Sequence, residues 1–319
     1  FSLSCPIGLL SLAKPDVVLA TSPPIFPMFS TWLICKLRRI PFVLEVRDLW
    51  PASAVQMGVL KNRQVIGVMA WMERVLYNQS AKIIALTKGI RDAICSRGWP
   101  HRKIELVTCG VDLDRLYPDA LGATLVRNKY AWQAKNIILY FGAMGEANNL
   151  PVIIRAAQNL QARPDIVFVL IGDGMKRAET EKQVLDLGLK NVLVLDPVSK
   201  AEARKYISAA DLCLVTLRDI PLFDGAIPTK LIDYMACGKA VLCGVRGEAE
   251  RIVIEAAAGS IFEPDNDEQL CKQVLELLQD KSLAEKMGIS GLAYVRCHFS
   301  ALTMRQRLES VLIAVTNKP

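Results

Sequence analysis

Apolar residues in this chain come in short unbroken runs, each closed by a turn former or a charged pair and separated by longer stretches of helical spacing. In the first part, Val17-Val18-Leu19-Ala20 stops at Thr21-Ser22-Pro23-Pro24 and the run Pro41 to Val46 stops at Arg47-Asp48. The runs Lys82 to Leu86 and Ile104 to Val107 complete this series. Helical spacing fills the intervals at about Phe26 to Arg39, at 61–78, and from an N-capping Thr87 to about Gly98. A second series follows, with strands at Ile137 to Phe141, Ile166 to Ile171, Val192 to Leu195, Leu212 to Val215, Ala240 to Cys243 and Gly259 to Phe262. Helical patterns lie between them at about 149–162, 176–188, 200–209 and 229–237. Strands apolar at successive positions need cover on both faces, and the alternating helices supply it, so each series predicts a parallel sheet. The fold class is therefore α/β with two doubly wound domains, 1–118 and 119–299, whose ligands bind beyond the carboxyl ends of the strands. Cys109 to about Lys135 mixes turn formers and charges and reads as the interdomain crossing.

Composition adds boundaries to this picture. At 319 residues and 52% hydrophobic content the chain has core material for two domains. Charge interrupts every apolar run before the ~18 residues a membrane span needs. The chain opens on Phe1 with no leader pattern. The run Phe1 to Ala13 is helix-like and leads straight into the first strand, so the first domain is expected to be truncated at its N-terminus, short of a central strand. Nine cysteines without paired spacings or nearby histidines point to a reduced, cytoplasmic setting and to no metal site. The charge of +7 is uneven: residues 1–118 hold 15 Lys+Arg against 8 Asp+Glu, and the remainder balances at 24 against 24. Such an excess suits anionic lipid, pyrophosphate or nucleic acid, or is ordinary solubility charge. No nucleic-acid motif accompanies it, so nucleic acid is not expected as a partner.

Three segments carry chemistry. Phe141-Gly142-Ala143-Met144-Gly145 and Ile171-Gly172-Asp173-Gly174 each end a strand where glycine lets backbone amides approach a phosphate, or simply allows a tight turn. The strongest signal is Phe223-Asp224-Gly225-Ala226-Ile227-Pro228-Thr229-Lys230, a glycine-containing loop that enters a helix carrying Asp233 and stopping at Gly238. Amides, a hydroxyl and a lysine at a helix N-terminus suit a diphosphate, and a carboxylate one turn inward suits vicinal ribose hydroxyls. A solvated helix-start lysine is the plainer reading of Lys230.

The segment 228–243 resembles the donor-site signature of family 4 retaining glycosyltransferases of the GT-B fold, nearest the bacterial cell-surface polysaccharide and aminosugar branch. The resemblance extends to Glu45-Val46-Arg47-Asp48-Leu49-Trp50-Pro51, to Gly110-Val111-Asp112 and to Gly247-Glu248-Ala249. It implies two Rossmann-like domains and a last helix within 300–319 that crosses back to the first. It implies a nucleotide-sugar donor, UDP-linked by preference, as substrate on the second domain, with no cofactor and no metal. The acceptor, a glycan or an undecaprenyl-type lipid-linked sugar, belongs to the first domain, with peripheral contact at the cytoplasmic face of the inner membrane. By position, Asp233 matches the second of two family glutamates and binds ribose, whereas the first falls at Gly225, which has no side chain. Asp224 stands beside it as a donor-sugar contact or an exposed loop acid. The basic pair many relatives carry after the first glycine turn is absent, with Met144, Glu146 and Asn149 in that region, leaving Lys230 as the diphosphate partner. Arg47 takes the place of a family histidine; it cannot act as a base and is assigned to charge stabilisation, with Asp48 orienting or deprotonating the acceptor hydroxyl. A structural Arg47–Asp48 pair is the alternative. Trp50 and Glu248 complete the acceptor side, Glu248 being equally readable as a turn acid. The apolar run Met28 to Arg39 and the ring-bearing stretch Trp71, Met72, Tyr77 fit either a membrane interface or core packing. A sugar-nucleotide epimerase of the same architecture, or a chain that binds nucleotide without turnover, stands as the rival.

Overall fold

The computed structural model describes residues 13–316 and, before them, residues 8, 10 and 11. The apolar run from Phe1 thus lies largely outside the described residues. The chain divides into two compact units, Phe1–Cys109 with Leu302–Pro319, and Gly110–Ala301.

In the first unit, strands β1 (Val18–Ser22), β2 (Phe42–Val46), β3 (Lys82–Ala85) and β4 (Ile104–Leu106) lie side by side in chain order, all parallel. With right-handed crossovers, a sheet laid down in that order puts every connecting helix on one face. Helices α1 (Ile25–Arg38), α3 (Arg63–Gln79) and α4 (Lys88–Ser96) accordingly share a single core with Phe42, Leu44, Val46, Ile83, Ala85 and Ile104, while α2 (Ala52–Gln56) is a short turn after β2. Because side chains alternate along a strand, Val43, Ile84 and Val107 face the other way. Val315 of the helix Ala301–Thr316 meets them, with Leu308, Val311 and Leu312 around it. The crossovers leave that face bare, and a helix from far down the chain covers it.

The second unit holds β5 (Asn136–Phe141), β6 (Ile166–Ile171), β7 (Val192–Leu195), β8 (Leu212–Thr216), β9 (Ala240–Gly244) and β10 (Gly259–Ile261), all parallel, in the order β10-β9-β8-β5-β6-β7. The sheet grows one way from β5 through β7, then returns to β8 at β5's other side. The switch point therefore lies between β5 and β8, where ligands of such sheets bind. Its helices are α5 (Ala120–Lys129), α6 (Leu150–Asn159), α7 (Arg177–Asp186), α8 (Lys200–Ala209), α9 (Thr229–Ala236), α10 (Glu248–Glu255), α11 (Asp267–Gln279) and α12 (Lys281–His298), which makes Ala301–Thr316 α13. One core joins α5, α8, α9 and α10 to one face, and a second joins α6 and α11 to the other.

The stretch read as a crossing, Cys109 to Lys135, contains α5. Its Asp119 cap accepts from the amide of Gly122 at 2.8 Å and pairs with Arg204 of α8 at 3.0 Å. Within α5 only Gly122 and Val126 are buried, so its apolar stripe is too narrow for periodicity to reveal.

Candidate functional site

The carboxyl ends of β5, β6 and β8 and the start of α9 meet around one buried lysine. Lys230 stands in the first turn of α9, whose start at Pro228 no side chain caps; the Leu231 amide donates back to the Pro228 carbonyl at 3.0 Å, which leaves the amides of Thr229 and Lys230 for a ligand. Its chain crosses the end of β5, where the Nζ donates to the hydroxyl of Tyr140 at 2.6 Å and to Oδ1 of Asn148 at 3.0 Å. It also lies 3.9 Å from the centre of the Tyr140 ring. The tyrosine hydroxyl in turn donates to the carbonyl of Ala143 at 2.5 Å. The reading of Lys230 as a solvated helix-start lysine is thus corrected: the side chain is 9% exposed. Burial pulls its pKa down to about 7, since the neutral oxygens around it only partly replace water around an ammonium.

Glycine makes the crossing possible. A Cβ at Gly142 would lie 3.2 Å from Cε of Lys230, and a Cβ at Gly172 would lie 1.9 Å from the carbonyl oxygen of Gly142. With φ near +150°, these two positions hold the first two strand ends backbone to backbone. Gly174 backs onto Met144 in the same way, and Asp173 accepts from the Gly174 amide at 2.8 Å. Thr216 donates to the carbonyl of Asn148 at 2.7 Å and the amide of Arg218 to that of Ala147 at 3.0 Å, so the loop after Gly145 is pinned across the switch point.

The remaining donor-side residues surround this centre. Asp224 is exposed on a 3-10 turn, with Gly225, Ala226 and Ile227 half-buried behind it and Thr229 exposed. The backbone of Asp224 lies against Gly247, where a Cβ would sit 2.2 Å from its carbonyl oxygen. Asp233 is half-buried one turn into α9; burial pushes its carboxyl up to about 6 against the opposing pull of Lys200. Glu248 opens α10 and pairs with Arg251 at 2.8 Å.

Arg47, Asp48 and Trp50 belong to the first unit. Arg47 is exposed after β2 and its Nε meets Oε2 of Glu45 at 3.0 Å; the same oxygen accepts from Thr21 at 2.6 Å. The guanidinium is therefore held by Glu45, not by Asp48 as the structural-pair alternative had it. Trp50 is half-buried, and its indole N–H and the hydroxyl of Ser53 have no hydrogen-bond partner among the described residues.

Sequence reading missed Tyr140, Asn148 and Glu45. It also missed the basic residues that stand near the absent pair: Glu146 bridges Arg218 at 3.1 Å and Lys176 at 3.0 Å. Glu146 was itself the one signal available, being an acid where a cation was expected.

The family model for glycosyl transferases group 1 matches residues 124–292, and that for the glycosyl transferase 4-like domain matches residues 6–110. The chain is 22% identical over 243 residues to the GDP-mannose-dependent alpha-(1-6)-phosphatidylinositol monomannoside mannosyltransferase of Mycolicibacterium smegmatis, covering 75% of this chain and 64% of that protein. It is 22% identical over 269 residues to the probable glycosyltransferase WbjE of Pseudomonas aeruginosa, covering 83% and 67%. The chain thus spans about two thirds of these relatives' length. Among solved structures, HepE of Anabaena in complex with UDP aligns with a TM-score of 0.81 at 15% identity, over 98% of this chain and 82% of that one.

Proposed function

The chain belongs to the glycosyl transferases group 1 family, and from that premise we propose that it moves a sugar from a nucleoside-diphosphate donor to a hydroxyl of a glycan or lipid-linked acceptor. The observation that carries the reading is Lys230, a buried amine beside two close-packed glycine turns and an uncapped helix start. In the proposed step the acceptor oxygen bonds to the anomeric carbon on the face the leaving group vacates, so configuration is retained. The bond from that carbon to the diphosphate breaks, and the acceptor's proton passes to the departing phosphate oxygen. Lys230 and the amides of α9 neutralise the growing charge on the diphosphate, and Asp233 holds the ribose. On the first unit, Arg47 steadied by Glu45, together with Asp48 and Trp50, forms the acceptor surface.

Uridine is the preferred base: the HepE neighbour holds UDP, although a relative bears the name of a GDP-mannose enzyme. The product belongs to a cell-surface polysaccharide or glycolipid. The test is release of nucleoside diphosphate from UDP-, GDP- and ADP-sugars with and without a lipid-linked acceptor extract. Acceptor-dependent release from one donor supports transfer. Donor conversion without acceptor would make the chain an epimerase. Binding with no turnover would support the second reading, a nucleotide-binding protein, which Gly225 favours by placing no side chain at a donor-sugar position.

A further inference from the structure

The loop after β5 sets one acid among cations that come from three other places in the chain. Glu146–Asn148 forms a single 3-10 turn, rising about 2 Å per residue, so its two end residues act within one small region. Asn148 accepts from Lys230 of α9 at 3.0 Å. Two residues earlier, one oxygen of Glu146 meets Arg218, after β8, at 3.1 Å, and the other meets Lys176, after β6, at 3.0 Å. Lys176 has a second acid, Glu179, at 2.7 Å. Among the described residues Arg218 pairs with no acid but Glu146.

The carboxylate is not what holds this turn in place. Thr216 donates to the carbonyl of Asn148 at 2.7 Å, the Arg218 amide to that of Ala147 at 3.0 Å, and the buried side chain of Asn149 to that of Leu217 at 3.5 Å. Glu146 itself faces water, its side chain 46% exposed against 44% for Arg218, and an ion pair so exposed adds little to stability. What the acid does is occupy the guanidinium. The backbone of Arg218 bonds to the turn and its side chain doubles back onto it, over the same three residues that offer Asn148 to Lys230. A guanidinium is matched better by the oxygens of a phosphate, which carry more charge and can take two N–H groups at once. Exchanging one anion for the other costs little, because the released carboxylate is already half in water.

We infer that Glu146 is a positioning residue, an internal stand-in for the donor's diphosphate. It holds Arg218 at the edge of the site until the diphosphate displaces it and takes the guanidinium as a second partner beside Lys230. The inference rests on the reading of this site as one for a nucleoside diphosphate. It gives the donor a competitor within the chain, so removing this acid strengthens binding.

The experiment is calorimetry on the full chain with UDP, GDP and ADP and with the corresponding nucleosides, followed through variants with whichever diphosphate the parent binds best. Glu146→Gln keeps the size of the side chain and removes its charge. It tightens the diphosphate by about threefold to fivefold and leaves nucleoside affinity unchanged. Arg218→Gln weakens the diphosphate by about tenfold. In the Arg218→Gln background the effect of Glu146→Gln shrinks to within about twofold, since Lys176 keeps Glu179 and the coupled partner is gone. Tightening of equal size in both backgrounds makes Glu146 a repulsive charge that does not act through Arg218. Weaker binding or a lower melting midpoint in Glu146→Gln makes it a donor contact or a structural acid. Each of these overturns the inference while the donor reading stands. A parent that binds none of the three diphosphates removes the donor reading and this inference with it.

Discussion

Lys230 is in an environment that opposes its own charge, and this has two measurable consequences. Its folded pKa of about 7 lies below its ordinary value of 10.5, so between those values the unfolded chain binds the extra proton. Stability therefore rises with pH from about 7 toward 10.5 on this residue's account. A diphosphate reverses the preference: binding draws a proton onto the amine. Nucleoside-diphosphate affinity should fall by up to roughly tenfold per pH unit above 7, and calorimetry in buffers of different ionisation heat should show proton uptake. Lys230→Ala should abolish that slope and weaken diphosphate binding by about 1.5–3 kcal/mol, leaving nucleoside affinity almost unchanged. Lys230→Met, which fills the same space without a charge, should bind as weakly yet melt no lower than the parent. Equal loss of nucleoside and diphosphate binding would mean that the loop had collapsed. The sequence offered this lysine as a diphosphate partner at a helix start but gave no sign of its burial. Its partners Tyr140 and Asn148 lie 90 and 82 residues away, and no local pattern announces a contact that only the doubled-back sheet creates.

At the scale of elements, the strands were legible almost to the residue because each is a mainly apolar run stopped by a turn former, β6, β8 and β9 being buried at every position. The helix α12 was not. Its interior holds Gly288 and Gly291, poor helix formers, and structure explains them: a Cβ at Gly288 would lie 2.1 Å from the carbonyl oxygen of Gly238, at the end of α9. Residues that weaken the helix locally are what allow it to lie against the site helix. The same logic separates glycines that are needed from those that are convenient. Gly172→Ala should cost about 2–4 kcal/mol and displace the Gly142 turn. Gly188→Ala meets open space at φ +61° and should cost only about 1–2 kcal/mol. Thermal unfolding followed with and without nucleoside diphosphate would distinguish them, since only the first should also lose ligand stabilisation.

For the molecule as a whole, the donor-side groups reside in one unit. A fragment of residues 110–301 should fold alone and bind nucleoside diphosphate like the parent, a result that calorimetry can check. A fragment of residues 1–109 should not behave as well, because it presents Val43, Ile84 and Val107 uncovered; it should aggregate unless a peptide of 300–319 is supplied. Two parallel sheets were readable from the alternation of strand and helix. The bare face of the first was not, since it follows from strand order, which a linear pattern does not contain.

That face also sets a timetable. Synthesis on the ribosome runs from N- to C-terminus, so β1 to β4 emerge before the second unit, while α13 emerges only after every strand of it. During the intervening interval the nascent first sheet has one apolar side with no native partner. The second unit can be complete before the unit that precedes it in the chain, and the nascent first unit is the natural client for a chaperone until α13 is released.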